Sequence, residues 1–261
     1  MIELLQRVVG CLMNRVRVNR VEQRVRDGAP VFVKHRRTGG QMVIWFANRF
    51  LSRAHSGICM FVHADEWTDW EVHCARLLYP DRPVVKADSG QTVIIPRVPG
   101  TSLRELLHGD GRNVNKAFIL AARELWRVHQ IHCSHYKAAW SHGDLHLDNI
   151  ICDLDADRAA LIDFDTRHEF RISQMQRHSD DLKVVLLELI GSSDNWGPPA
   201  TAFIEEYREN SVLREVHRGL SVPSGFARLL WYARTNCSSI HRIEPRLESL
   251  RETILSVTER L

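Results

Sequence analysis

An α+β fold with two unequal lobes, a small β-rich one followed by a larger helical one, is predicted by the order of hydrophobic patterns along this chain. In the first hundred residues, short runs of β-branched and apolar residues are broken by turn dipeptides such as Asp27-Gly28 and Ser89-Gly90. Beyond Val114 the apolar spacing becomes helical and stays so. The one long polar stretch inside the second region, Ser141 to Asn149, is flanked by helical pattern before it and two short strand-like runs after it. A chain of 261 residues is long enough for a small lobe joined to a larger one. We place the boundary near Pro99, giving lobes of 1–98 and 99–261.

Residues Ile2 to Met13 space Leu4, Leu5, Val8, Val9 and Leu12 as an amphipathic helix, which packs on its own domain or lies on a membrane. Val16 to Val25 and Val31 to Lys34 read as strands around Asp27-Gly28. Glu66 to Leu78 puts Trp67, Trp70 and Cys74 on one helical face and is ended by Tyr79-Pro80. Val84-Val85 and Thr92 to Ile95 form a second hairpin around Asp88-Ser89-Gly90. It leads into Pro96 to Leu103, where Ser102 or Thr101 can cap a helix. Val114 to His132 predicts a long core helix. Ile150-Ile151-Cys152 and Ala159 to Ile162 read as two buried strands joined by an Asp-rich turn. Ser179 to Ile190 predicts a buried helix with Asp180-Asp181 at its acidic start and Gly191 as its stop. Further helical patterns follow around 203–207, 226–234 and 247–261.

The chemistry concentrates in the polar stretch. Asp144 and Asn149 stand five apart, and Asp163 follows fourteen residues after Asn149. The hairpin between them brings Asn149 and Asp163 to the same end. Phosphoryl transfer to a hydroxyl needs a carboxylate to orient the nucleophile and take its proton, and oxygen ligands to hold Mg2+ against the phosphates. Asp144 suits the first role; Asn149 and Asp163 suit the second.

These residues carry a resemblance. His142-Gly143-Asp144 with Asn149 resembles the catalytic loop of aminoglycoside and choline phosphotransferases, a branch of the protein-kinase-like fold, and Asp163-Phe164-Asp165 stands where protein kinases have Asp-Phe-Gly. The resemblance implies ATP and Mg2+ as cofactors. It implies Lys34 as the phosphate-binding lysine, Glu71 (or Glu66) as its helix partner, and backbone at Ile95, Arg97 and Val98 on the adenine edge. One aspartate of Asp180-Asp181 would brace the catalytic loop from below. A Gly-rich phosphate loop is missing upstream of Lys34, and Asp27-Gly28 alone does not supply one. A second segment, Val33 to Gly40 followed by Trp45 to Leu51, is similar to bacterial lipopolysaccharide core sugar kinases, including those acting on the inner-core Kdo sugar. It implies a sugar acceptor, free or on a glycolipid. Two other readings stay open: a kinase-like scaffold or regulator with weak or no catalysis, and an atypical protein kinase.

Composition narrows the partners. With 44% hydrophobic and 26% charged residues the chain is an ordinary globular protein rather than a disordered one. The net charge is only +3, but arginines crowd the first forty positions and favour an anionic partner. No recognition motif or aromatic interleaving points to nucleic acid. The six cysteines form no Cys-x-x-Cys pair, and the His and Cys residues between 129 and 146 lack the spacing of a zinc module, so reduced thiols in the cytoplasm are expected. No apolar run has the length of a membrane span, which leaves a cytoplasmic protein, with peripheral contact at the inner membrane surface as a further expectation.

Overall fold

In the computed structural model, which describes residues 6–10, 18–87, 89–109 and 111–260, the strand-rich part comes first. β1 (Asn19–Arg26) and β2 (Ala29–Arg36) form a hairpin whose two turn residues, Asp27 and Gly28, both take positive φ, as a two-residue turn matching strand twist requires. With β4 (Val85–Lys86) and β5 (Thr92–Pro96) they make an antiparallel sheet in the order β1-β2-β5-β4. The register sets Lys34 opposite Val93 and Phe32 opposite Ile95. Of the helix expected over 2–13, residues 6–10 are helical and the rest lies outside the described residues, as does Val16 of the first expected strand.

Between β2 and the next strand the chain inserts a helix that the sequence reading did not give, α1 (Gly40–Arg53). Its apolar residues do not mark an inward face: Ile44 and Leu51 are buried, while Met42, Trp45 and Phe46 are exposed. Short β3 (Ile58–Met60) follows, then α2 (Ala64–Leu78), which buries Trp67, Trp70, Glu71, Cys74 and Leu78.

The helical part begins after β6 (Thr101–Ser102). Ser102 caps α3 (Leu103–His108): its hydroxyl accepts from Glu105 N–H, and Glu105 reaches back to the Ser102 N–H. Just before it, Gly100 has φ 118° and passes so close to β9 (Ile150–Asp153) that a Cβ would meet the Cys152 carbonyl oxygen at 2.4 Å. β9 pairs with β10 (Arg158–Leu161) on one side and β6 on the other. α4 (Val114–Val128) ends earlier than the periodicity suggests, because His132–Cys133 (β7) turns away to pair with Ala138–Ala139 (β8). β11 (Thr166–His168) pairs back to β3.

α5 (Gln174–Ser192) is the buried axis, with Leu182, Val185, Leu186, Leu189 and Ile190 all but inaccessible to solvent. Each contributes about 1.5–3 kcal/mol of burial. Two expectations are corrected here. The helix starts at a capping box on Ser173 and Gln176, so Asp180 and Asp181 lie two turns in rather than at an acidic start. Gly191 does not stop it either: the glycine is helical, and a Cβ there would lie 2.1 Å from the Thr235 carbonyl oxygen. Gly191 is a close-contact glycine. We expect Gly191→Ala to lower stability by about 2 kcal/mol or more through overpacking, read as a shift in the denaturant midpoint without change in slope. α6 (Gly197–Glu206), α7 (Asn210–Gly219), α8 (Gly225–Arg234) and α9 (Ile240–Arg260) complete the layer. Cys59, Cys74, Cys133 and Cys152 are free thiols, whereas Cys237 is disulfide-bonded, against the expectation of reduced thiols throughout.

Candidate active site

The polar stretch forms a loop held from beneath by α5. Asp181 accepts the backbone N–H groups of His142 and Gly143, both at 2.8 Å, and a third bond from His129 Nε2 at 3.1 Å. Gly143 sits at φ 89°, with the backbone of Arg167 3.1 Å from where its Cβ would be. His142 is aimed by a bond from Nε2 to the Ile162 carbonyl at 3.0 Å, and Phe164 packs against it and Trp140. Asp180, the neighbour of Asp181, turns the other way to a two-pronged ion pair with Arg234 at 2.8 Å. The brace is therefore Asp181.

Burial alone would push the Asp181 carboxyl up, but the His129 hydrogen bond and the nearby imidazoles hold it down at about 2. Its pKa lies below that of an unfolded aspartate, so its contribution to stability is complete above about pH 4 and is lost as pH falls toward 2. We expect Asp181→Asn to flatten the acid limb of the stability curve in that window and to cost on the order of 2 kcal/mol at neutral pH, measured by urea unfolding across pH.

Asp144 follows on the loop, its side chain 41% exposed and 3.0 Å from His146 Nε2. Burial opposes ionisation, but the His146 contact and the other basic groups around it keep the Asp144 carboxyl below the usual range, ionised at neutral pH. The far side of His146 is set by Glu188 on α5, 3.4 Å from Nδ1, which also accepts the Leu147 N–H at 2.6 Å and an ion pair from Arg104. Asn149 Nδ2 donates to the Asp144 carbonyl at 2.9 Å, which leaves Oδ1 as its acceptor. Ile162 N–H bonds the Asn149 carbonyl at 3.0 Å, so the β9–β10 register brings Asn149 and the start of the Asp163 loop to one end.

Lys34 sits at the meeting point of the two parts. Its Nζ lies 3.1 Å from Glu71, 2.7 Å from Asp165, and in direct contact with Asp163. Glu66, the alternative partner, is exposed. Asp165 also accepts from Trp67 Nε1 at 2.7 Å and Asn19 Nδ2 at 2.6 Å. Arg36, two residues along β2, stacks on Trp67 at 4.6 Å. Three carboxylates thus face two cations, with Glu71, Asp163 and Asp165 oxygens within 4.8 Å of one another.

The carboxylates do not share the strain equally. Burial would raise Asp165, but Lys34 and the Trp67 bond bring it below the ordinary range. Asp163 is raised, by burial first and then by the Asp165 charge. Burial pushes Glu71 up to about 7 even beside Lys34. Lys34 itself is pushed well above its ordinary value: the three carboxylates outweigh the cost of its burial. Asp165 is thus favoured as an ion beside Lys34, while Asp163, held at φ 68° and 40% exposed, is disfavoured as one and would be relieved by a further cation. An Asp carboxylate and an Asn oxygen on adjoining segments are oxygen ligands of the kind Mg2+ takes, which binds through few protein ligands and keeps several waters. Beside them a cleft of 330 Å³ is lined by Val21, Phe32, Lys34, Ile95, Arg97, Val98, Gly100, Ile151, Ile162 and Asp163. Apolar side chains such as Val21, Phe32, Ile95 and Ile151 line it together with Lys34, Arg97 and Asp163.

No family model matches the chain, and no curated protein matches it by sequence. Among solved structures the chain is similar to an ethanolamine kinase of Plasmodium vivax, with a TM-score of 0.50 and 12% identity, over 92% of this chain and 79% of that one. The fold is kinase-like. Lys34 on β2 and Glu71 on α2 meet as an ion pair, with α1 lying between those elements in the chain.

Several residues of the site were not singled out from sequence. Asp165 was visible in the Asp-Phe-Asp run, but its bonds to Lys34, Trp67 and Asn19 span 98 to 146 residues and leave no local pattern. Trp67 read as a core residue. Glu188 had a signal, an acid inside the apolar run Val184 to Ile190 of α5, where a buried charge implies a partner.

Proposed function

We propose that this protein is an ATP- and magnesium-dependent phosphotransferase that moves the γ-phosphoryl group to a hydroxyl of a sugar. The observation that carries the reading is the convergence of Lys34, Glu71 and Asp163 at a cleft that Lys34 and Asp163 line, with ionised Asp144 on the neighbouring loop. Asp144 orients the acceptor hydroxyl and takes its proton. Lys34, kept charged and aimed by Glu71 and Asp165, meets the nucleotide phosphates. Asn149 and Asp163 would hold magnesium, which when bound neutralises the phosphate oxygens. Ile95, Arg97 and Val98 line the part of the cleft assigned to adenine, where the N-terminal lobe joins the C-terminal one. The missing Gly-rich loop is offset in charge by Lys34 and Arg36 on one strand face.

For the acceptor we assign a lipopolysaccharide core sugar, free or lipid-linked. The support is the Val33 to Gly40 and Trp45 to Leu51 segment and the Asp-Phe-Asp form of the metal loop. Purified protein assayed for ATP consumption against core sugars, aminoglycosides, choline and ethanolamine tests it. Turnover with a core sugar and not with the amines is the expected outcome; amine turnover alone would replace the acceptor, and none with any would favour a scaffold. Lys34→Ala is expected to raise the ATP KM by roughly tenfold to a hundredfold, the worth of charge-assisted bonds, checked by steady-state kinetics.

A further inference from the structure

Helix α1 carries a stripe of unusual composition. Met42, Trp45, Phe46, Arg49 and Arg53 recur at helical spacing and all are exposed, Met42 at 69%, Phe46 at 62% and Trp45 at 48%. Phe50 meets Phe226 edge-on at 6.2 Å, and Phe226 is itself 52% exposed, so the apolar surface continues onto α8. A shallow hollow lined by Trp45, Asn48, Arg49, Ser52 and Arg53 runs along the same stretch. Scattered exposed apolar residues are ordinary; large ones grouped on one face mark an interaction surface.

The charges select the occupant. α1 contains no aspartate or glutamate. Arg49 lies over the Trp45 ring at 5.1 Å, and Arg53 bonds only the Arg49 carbonyl. Among the described residues neither has a carboxylate partner, whereas Arg24, Arg104, Arg123 and Arg218 are all ion-paired. Exposed Arg37 precedes the helix. Guanidinium groups without counter-charge, beside Trp and Phe, match a sheet of lipid phosphates over an acyl boundary. A second copy seated symmetrically on this face would set arginine against arginine.

We propose that α1 is a membrane-docking face that lies in the plane of an anionic lipid surface. Its attachment to the site is rigid. The Asn48 side chain bonds both the N–H and the carbonyl of Met60, at 2.8 and 2.9 Å, and Met60 pairs with Thr166, the residue after Asp165. A bilayer held by α1 therefore keeps a fixed relation to the catalytic loop, as a lipid-linked acceptor requires. This deepens the acceptor reading above, but the membrane binding does not depend on it.

The test is co-sedimentation of the full chain with vesicles of phosphatidylcholine alone and of phosphatidylcholine with phosphatidylglycerol. Binding is expected to the anionic vesicles only and to weaken with salt. Trp45→Ser with Phe46→Ser should weaken it by roughly tenfold or more, and Arg49→Gln with Arg53→Gln by about fivefold per charge. The melting temperature without vesicles should match wild type in both pairs, which shows that they fold. Absent binding, or binding indifferent to both pairs, overturns the proposal. So does displacement by inorganic phosphate beyond that of chloride at equal ionic strength, which would make this a soluble-anion site. A concentration-dependent dimer abolished by the Trp45 and Phe46 changes would assign the face to a second copy instead. Vesicle binding without any sugar phosphorylation overturns only the acceptor reading.

Discussion

Asp163→Ala is expected to lower nucleotide turnover by at least on the order of a thousandfold while the melting temperature moves little. The rate effect follows from removing a magnesium carboxylate, which is worth several kcal/mol of transition-state charge stabilisation. The small effect on stability follows from the electrostatics: Asp163 is held with a raised pKa among neighbouring carboxylates, and Lys34 keeps Glu71 and Asp165 when it is gone. Its backbone, at φ 68°, costs alanine about 1 kcal/mol, which accounts for a loss of a few degrees. Asp163→Asn is the control, since asparagine tolerates that conformation and removes only the charge. Calorimetric melting beside magnesium-dependent ATP hydrolysis separates the two effects. Unchanged turnover in both variants would remove the phosphotransferase reading.

Asp144→Asn should divide binding from chemistry. Asp144 contacts His146 and the loop rather than the cleft lining, so ATP affinity should hold while transfer falls by roughly a hundredfold to ten-thousandfold, the usual worth of a general base. A nucleotide-binding scaffold has no such loss to show. ATP titration calorimetry and phosphate transfer measured on one preparation decide between them: equal transfer by variant and wild type would sink the catalytic assignment.

Where the sequence was readable, local chemistry and tertiary placement agreed. The Asp27-Gly28 turn, the Ser102 cap and the β9–β10 hairpin each carry their cause within a few residues. α1 was unreadable because its largest apolar side chains face out, so no inward stripe could be found. Gly191 misled for the opposite reason. A glycine after an apolar run reads as a helix stop, yet its cause lies at Thr235 on another element. The same division holds in the site, where Asp144, Asn149 and Asp163 are set by spacing within one hairpin, while the roles of Asp165 and Glu188 exist only once distant elements meet.

The three donors on Asp165 also bear on whether this protein can be switched. Swinging the Asp-Phe-Asp segment outward would break charge-assisted bonds to Lys34, Trp67 and Asn19 and draw buried Phe164 from beside Trp140. At about 1.5 kcal/mol per bond and about 2 for the ring, that excursion costs about 6.5 kcal/mol, a population on the order of one molecule in a hundred thousand. A loop so tethered has one resting position.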